Sequence, residues 1–67
     1  MYTAIVRRVV RTDQNNDVFV LLNDGKVTSI HAATIPTEAF FLETGDEVEY
    51  KISENGAVII TKINWKN

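Results

Sequence analysis

The alternation of apolar and polar positions is clearest near the C-terminal end of the chain. Between residues 47 and 53, apolar Val48, Tyr50 and Ile52 alternate with charged residues. A period of two is typical of a β-strand with one buried and one wet face. Residues 54–56 end in Asn-Gly, which favours a tight turn. We therefore predict a hairpin of two strands, at residues 47–53 and 57–64.

The first apolar run is longer and less regular. Residues 2–11 are rich in β-branched side chains and contain neither Gly nor Pro, which predicts a strand. Neither of its two faces is purely apolar. A β-bulge near Arg7 and Arg8 would shift the phase and give each half of the strand one apolar face. A long, bent first strand of this kind is typical of small barrels.

Two shorter runs follow the first strand. Residues 12–17 consist of Thr, Asp, Gln and Asn, which predicts a turn. Residues 18–22 form a second apolar run, and residues 23–26 contain Asp-Gly, a strong hairpin signal. We therefore predict a second strand at 18–22 and a third at residues 27–33.

The segment at residues 34–44 has a different character. Pro36 has a backbone angle suited to the first turn of a helix, and residues 37–42 have room for one or two helical turns before Gly45. Such a segment is too short to be stable as an isolated helix. We expect its apolar residues Phe40, Phe41 and Leu42 to plug the end of a barrel.

The predicted order is three strands, a short helical turn, and two strands. Five short strands within residues 1–67 indicate one all-β domain, because closure into a barrel removes exposed sheet edges. A helical turn between strands 3 and 4 is where an OB-fold has its helix. The fold expected is thus a small five-stranded β-barrel of the OB-fold kind. An SH3-like barrel is the main alternative.

The composition limits the chemistry open to this chain. It has no Cys and one His, which excludes disulfides, thiolate metal sites and His-rich metal sites. It also lacks the Gly-rich phosphate loop, the Gly-x-Ser-x-Gly motif and the His-Glu-x-x-His motif. We therefore expect a binding module rather than an enzyme, with no metal and no cofactor.

The charge is small and unevenly distributed. The net charge is −2: residues 1–33 carry four basic and three acidic side chains, and residues 34–67 carry three basic and six acidic ones. A negative net charge argues against nonspecific binding of duplex nucleic acid. No apolar run approaches the length of a membrane span, and the N-terminus lacks the pattern of a signal peptide. We expect a soluble, cytoplasmic protein.

Three segments resemble a cold-shock domain. They are the hairpin at residues 23–26, the run Ile-His-Ala-Ala-Thr-Ile at residues 30–35, and Leu-Glu-Thr-Gly-Asp-Glu-Val-Glu-Tyr-Lys-Ile at residues 42–52. In that family the third strand typically reads Asp-Val-Phe-Val-His-Phe-Ser-Ala-Ile, and the fourth follows Leu-x-Glu-Gly-x-x-Val-x-Phe. The resemblance implies an OB-type barrel that binds single-stranded RNA or DNA.

The resemblance also implies where a nucleic acid would bind. The family presents two aromatic residues on the outer face of its second strand; here Phe19 holds the first position and Leu21 the second. His31 matches the His of the third strand. Arg7 agrees in charge with the Lys of the family's first strand, and Arg8 could stack on a base through its guanidinium plane. The candidate nucleic-acid-binding residues are Arg7, Arg8, Phe19, Leu21, Lys26 and His31.

This chain departs from the family at several stacking positions. Ser29 and Ala32 stand where the third strand has Phe, and Val9 follows the arginines where the first strand has an aromatic residue. Stacking of a base on an aromatic ring contributes about 1–3 kcal/mol. The loss of several platforms would therefore weaken binding by orders of magnitude. Fold alone does not determine function, so a changed partner is a second hypothesis.

That second hypothesis is a small protein-interaction adaptor or inhibitor that docks on a larger protein or forms a homodimer. Tyr2, Phe19 and Trp65 would then be contact residues, since aromatic residues are enriched at interfaces. Alternatively, Tyr2 and Trp65 close the barrel, Phe19 is part of the core, and His31 bonds to nearby backbone. Acidic residues of the fourth strand either meet a basic partner or form a hydrated face. The pattern leaves open which face of the second strand is buried.

Overall fold

Five antiparallel strands form one sheet that curls into a half-barrel. The computed structural model describes residues 1–12 and 17–65. The strand order across the sheet is β3-β2-β1-β4-β5. The all-β prediction, with a helical turn between the third and fourth strands, is confirmed. The elements are β1 (Tyr2–Arg11), β2 (Val18–Leu22), β3 (Val27–Ser29), a 3-10 helix (Ile30–Ala32), α1 (Pro36–Ala39), β4 (Glu47–Ile52) and β5 (Val58–Asn64).

The first strand belongs to both halves of the curled sheet. Residues 2–5 of β1 pair with β4, whereas residues 6–11 pair with β2. Between these halves the register shifts from Val6 opposite Leu22 to Arg8 opposite Leu21. The predicted bulge at Arg7 and Arg8 is therefore confirmed. An inserted residue bends and twists a strand, which allows β1 to serve both halves while Val6 stays buried.

The second strand directs Phe19 and Leu21 away from the core. Val18, Val20 and Leu22 are buried, whereas Phe19 is exposed and Leu21 is half-buried on the opposite side. The sequence pattern left open which face of β2 is buried, and the buried face is the one that carries Val18, Val20 and Leu22. The buried side joins a core of small and branched apolar residues that also contains Ala4, Val6, Ala39, Leu42, Val48, Tyr50, Val58, Ile60 and Ile63.

The seam between β3 and β5 is held by single hydrogen bonds rather than by a strand ladder. The Thr28 hydroxyl donates to the Val58 carbonyl oxygen at 2.6 Å, and this threonine is buried. The Thr34 N–H donates to the Ile60 carbonyl oxygen at 2.8 Å. A neutral hydrogen bond contributes about 0.5–1.5 kcal/mol to stability, so these two bonds stabilise the seam by a modest amount.

The third strand is shorter than predicted. We expected it to extend over residues 27–33, but it ends at Ser29, where the chain turns into the 3-10 helix. The Ala33 N–H donates to the Ile30 carbonyl oxygen at 3.0 Å, and the side chain of Ile30 packs against the core. This tight turn brings Thr34 back to β5. The predicted turn at residues 12–17 falls largely on 13–16, outside the described residues.

The helical turn plugs the barrel with different residues from those expected. Ala39 and Leu42 are completely buried, but Phe40 is 44% exposed and Phe41 is 66% exposed. The prediction that all three residues at 40–42 fill the barrel end is wrong for both phenylalanines. The Arg11 guanidinium donates to the carbonyl oxygens of Phe40 (3.1 Å) and Leu42 (2.9 Å). These bonds hold the end of this turn against β1.

A buried tyrosine ties the β2–β3 turn to the fourth strand. The Tyr50 hydroxyl donates to an Asp24 carboxylate oxygen at 2.5 Å, and the Tyr50 ring stacks on Tyr2 with 5.3 Å between centroids. The hydrogen bond from Tyr50, followed by one from the Lys26 N–H, lowers the pKa of Asp24 below its ordinary value. The same bond, with burial and the Asp24 charge, raises the pKa of Tyr50 to about 12.

The orientation of β2 predicts opposite responses to truncation at neighbouring positions. Leu22→Ala should lower the free energy of unfolding by about 2–5 kcal/mol, because it leaves a cavity in the core. Phe19→Ala should cost less than about 1 kcal/mol, because its ring lies outside. Urea unfolding followed by Trp65 fluorescence measures both. A larger loss for Phe19→Ala than for Leu22→Ala would mean that the faces are reversed.

The Tyr50–Asp24 bond predicts a pH-dependent contribution to stability. Tyr50→Phe should lower the free energy of unfolding by about 1 kcal/mol at pH 7, less than the roughly 1.5–3 kcal/mol of a typical hydrogen bond to a charged group. The loss is small because the exposed Asp24 carboxylate is hydrated once the Tyr50 hydroxyl is removed. Asp24 has a lowered pKa, so its contribution is present above about pH 4 and is lost as the pH falls. Tyr50 has a raised pKa, so its contribution is lost as the pH rises above about 10.

The measurement is the difference in unfolding free energy between the native chain and Tyr50→Phe at acidic, neutral and alkaline pH. We expect this difference to be largest at neutral pH and smaller at either extreme. A difference that does not vary with pH would show that the hydrogen bond makes no contribution.

Candidate functional site

The outward positions of β1, β2 and β3 form a continuous surface, here called the outer face. Strand pairing arranges its side chains in two rows that run across the three strands. In one row Leu21 lies between Arg8 and Val27, and in the other Phe19 lies between Val10 and Ser29. Neighbours within such a row have Cβ atoms about 4.5–5.5 Å apart, so the six side chains form a compact patch.

The centre of the outer face is apolar. Val10 is 41% exposed, Phe19 42% and Val27 59%, and half-buried Leu21 lies between them. Outward positions of a strand are usually polar when that face meets only water. Contiguous apolar side chains on a surface are a mark of binding sites. The outer face is therefore the part of the described sheet that most needs a functional explanation.

A shallow groove of about 330 Å3 lies beside Phe19. Its lining includes Phe19 of β2, Val27 and Ser29 of β3, Ala32 of the 3-10 helix, and Ala57 and Val58 where β5 begins. The groove therefore lies at the seam between β3 and β5.

Both arginines of the bulge are exposed next to this apolar centre. Arg8 lies directly opposite Leu21 across the strand pair, and Arg7 precedes it in the bulge. Without the bulge, strict alternation would place Arg7 and Arg8 on opposite faces. The bulge thus keeps two guanidinium groups in solvent at the edge of the outer face.

Lys26 and His31 are less closely associated with Phe19. Lys26 is half-buried in the β2–β3 turn, where the nearby Asp24 carboxylate partly offsets its charge. His31 is exposed on the 3-10 helix and lines a second depression of about 690 Å3 with residues 53–55. Ala32 and Ala57 line both depressions, so the two adjoin. Of the six predicted site residues, the structure brings Arg8, Phe19 and Leu21 together and places His31 in the adjoining depression.

The other half of the sheet presents acidic side chains. Glu47 and Glu49 on β4 both accept hydrogen bonds from the Asn64 side-chain amide, at 2.8 and 3.3 Å. The Lys62 ammonium lies 3.8 Å from Glu49. Arg7 and Arg8 therefore lie beside the outer face on β1, whereas Glu47 and Glu49 lie on β4 together with Lys51, and Lys62 lies on β5.

Several residues of the outer face were missed by the sequence analysis. Val10, Val27 and Ala57 line the patch or the groove, yet none was singled out. The signal for Val10 was present, because a bulge at Arg7 and Arg8 reverses the phase of the rest of β1. The contribution of Ala57 depends on the approach of β5 to β3, which no local pattern encodes.

Across residues 1–12 and 17–65, no three His, Cys, Asp or Glu side chains form a group able to hold a metal ion. None of the helices in those residues is long and apolar enough to cross a membrane.

Comparisons with models of protein families, with curated proteins and with solved structures find no significant match to this chain. The resemblance to cold-shock domains therefore stays a prediction from the residues quoted above.

Proposed function

We propose that this domain is a non-catalytic binding module for single-stranded nucleic acid and that the strand lies on the outer face of β1–β3. The observation that carries this proposal is the exposed ring of Phe19, which lies between Val10 and Ser29 in the middle of the face. Every base has a flat π-face, so an exposed aromatic ring binds single strands with little regard to sequence. The groove beside Phe19 offers an apolar surface for a neighbouring base.

The arginines supply the complementary charge for phosphates. Arg7 and Arg8 are exposed within one bulge, and a guanidinium group matches phosphate oxygens with two parallel hydrogen bonds. Lys26, in the adjoining β2–β3 turn, adds a third cation. The carboxylates of Glu47 and Glu49 on β4 repel a phosphate backbone, so a bound strand should follow β1–β3.

The expected affinity is modest. One aromatic platform contributes about 1–3 kcal/mol, and three cations neutralise few phosphates. We expect a dissociation constant of about 10⁻⁴–10⁻⁶ M at moderate salt, the range of nonspecific nucleic-acid binding. The net charge of −2 also favours a single strand over a duplex, because a rigid duplex would meet the carboxylates on β4 as well.

The alternative is a protein-interaction module that uses the same apolar centre. The exposures of Val10, Phe19 and Val27 suit a protein interface as well as a base-stacking surface. The two functions differ in their response to salt, because contacts with phosphates release counterions and apolar contacts do not. Salt dependence therefore separates them.

The stacking role of Phe19 is tested with a fluorescently labelled single-stranded oligonucleotide and anisotropy. Phe19→Ala should weaken binding by about 1–3 kcal/mol, that is, roughly fivefold to more than a hundredfold. Phe41→Ala is the matched control, because it removes an exposed ring that lies off the outer face. Equal affinity of the two variants for the oligonucleotide would rule out the stacking role.

The phosphate contacts are tested by repeating the titration at several salt concentrations. If Arg7, Arg8 and Lys26 each neutralise one phosphate, the slope of log K against log[salt] should be about −2. Arg8→Ala should make the slope less steep by about 0.7, whereas Lys51→Ala, an exposed lysine on β4, should leave it unchanged. Absence of oligonucleotide binding by the folded protein at low salt would contradict the proposed function outright.

A further inference from the structure

A second apolar groove lies at the end of the barrel, away from the outer face. Ile30, Pro36, Thr37, Phe40 and Phe41 line a groove of about 380 Å3, here called the Phe40–Phe41 groove. It shares no lining residue with the groove beside Phe19. Its lining is almost wholly apolar, and its two phenyl rings meet edge to face with 6.0 Å between their centroids.

The rings of this groove are not needed to hold the helical turn in place. Ala39 and Leu42 are completely buried beneath them, and the turn is further fixed by the Arg11 hydrogen bonds to the backbone at residues 40 and 42. Two phenylalanines side by side are thus presented to solvent on an anchored backbone. Aromatic residues, Phe among them, are enriched at protein interfaces.

The charge around the groove indicates which partner fits. The segment at residues 34–44, which carries most of the groove, contains Glu38 and Glu43 and no Lys or Arg. Both glutamates are exposed: Glu38 precedes Phe40 by two residues in the sequence, and Glu43 follows Phe41 by two residues. The guanidinium of Arg11, which contacts this segment, is occupied by carbonyl oxygens. A basic partner is therefore favoured and a nucleic acid is disfavoured.

The size of the exposed patch argues against a second copy of the chain. A fully buried phenylalanine removes about 150–250 Å2 from water, so two partly exposed rings offer on the order of 200 Å2. A stable dimer buries about 800 Å2 on each partner. The groove therefore suits one or two apolar side chains of a short segment rather than a dimer interface.

We propose that the Phe40–Phe41 groove docks a short peptide segment of another protein, in which one or two apolar side chains are flanked by basic residues. The apolar side chains enter between Pro36 and the two rings, and the basic residues lie against Glu38 and Glu43. This site is independent of the outer face and does not rest on the proposed nucleic-acid function.

The test is an amide chemical-shift titration of the whole chain with a synthetic peptide that carries two leucines among lysines. We expect shifts at Ile30, Thr37 and Phe41, and a binding constant that weakens with added salt. Phe41→Ser should weaken peptide binding at least about tenfold, and Phe19→Ser, its matched control, should leave peptide binding unchanged. Urea unfolding verifies that both variants are folded.

The charge preference has its own control pair. Glu38→Lys should weaken binding of the lysine peptide, whereas Glu54→Lys, which makes the same charge change on the β4–β5 turn, should have a much smaller effect. Peptides with the leucines replaced by serine, or the lysines by glutamate, should bind more weakly.

Several outcomes would overturn the proposal. These are an absence of shifts at millimolar peptide, equal binding of the glutamate peptide, and self-association that Phe41→Ser abolishes. Displacement of the peptide by an oligonucleotide that itself shifts Phe41 would assign the groove to nucleic acid instead. Because Phe19→Ser impairs only the outer face, failure here and failure of the proposed function give different results.

Discussion

The bulge in β1 is the constraint on which both the fold and the candidate site depend. A regular ten-residue strand would keep one alternation throughout, and either Val6 or Val9 would then face solvent. The extra residue between Val6 and Arg8 lets the first half of β1 pair with β4 and the second half with β2. It thereby curls the sheet around one core. The same bulge leaves both arginines exposed beside the apolar centre of the outer face. The curvature of the sheet and the positive charge beside the outer face therefore have one structural cause.

Around this bent strand, single hydrogen bonds tie separate elements of the fold together. The seam between β3 and β5 depends on Thr28 and Thr34, the β2–β3 turn is tied to β4 by Tyr50, and the helical turn is tied to β1 by Arg11. Each tie joins a loop or a strand end to a distant strand. A chain of this size buries only about 60% of its unfolded surface, so such ties contribute a substantial part of its stability.

Most of the strands could be predicted from the sequence because their signals are local. Alternation, β-branched runs and the Asp-Gly and Asn-Gly turns are properties of neighbouring residues, and even the bulge follows from a phase change. The end of β3 could not be predicted in this way, because Ile30 leaves the strand to pack on the core while Thr34 bonds to β5. The exposure of Phe40 and Phe41 was missed for a different reason. Buried Ala39 and Leu42 lie three residues apart, a helical spacing that outweighs the greater hydrophobicity of the rings.

We propose the outer face on β1–β3 as the surface for a single strand, because Arg7 and Arg8 lie beside it and the glutamates of the sheet lie on β4. The most direct test is to map an amide chemical-shift titration with a short single-stranded oligonucleotide on the folded chain. The largest shifts should fall on Arg8, Phe19 and Val27, with little change at Glu49 and Lys62. Shifts confined to β4 and β5, or no shifts at low salt, would contradict it.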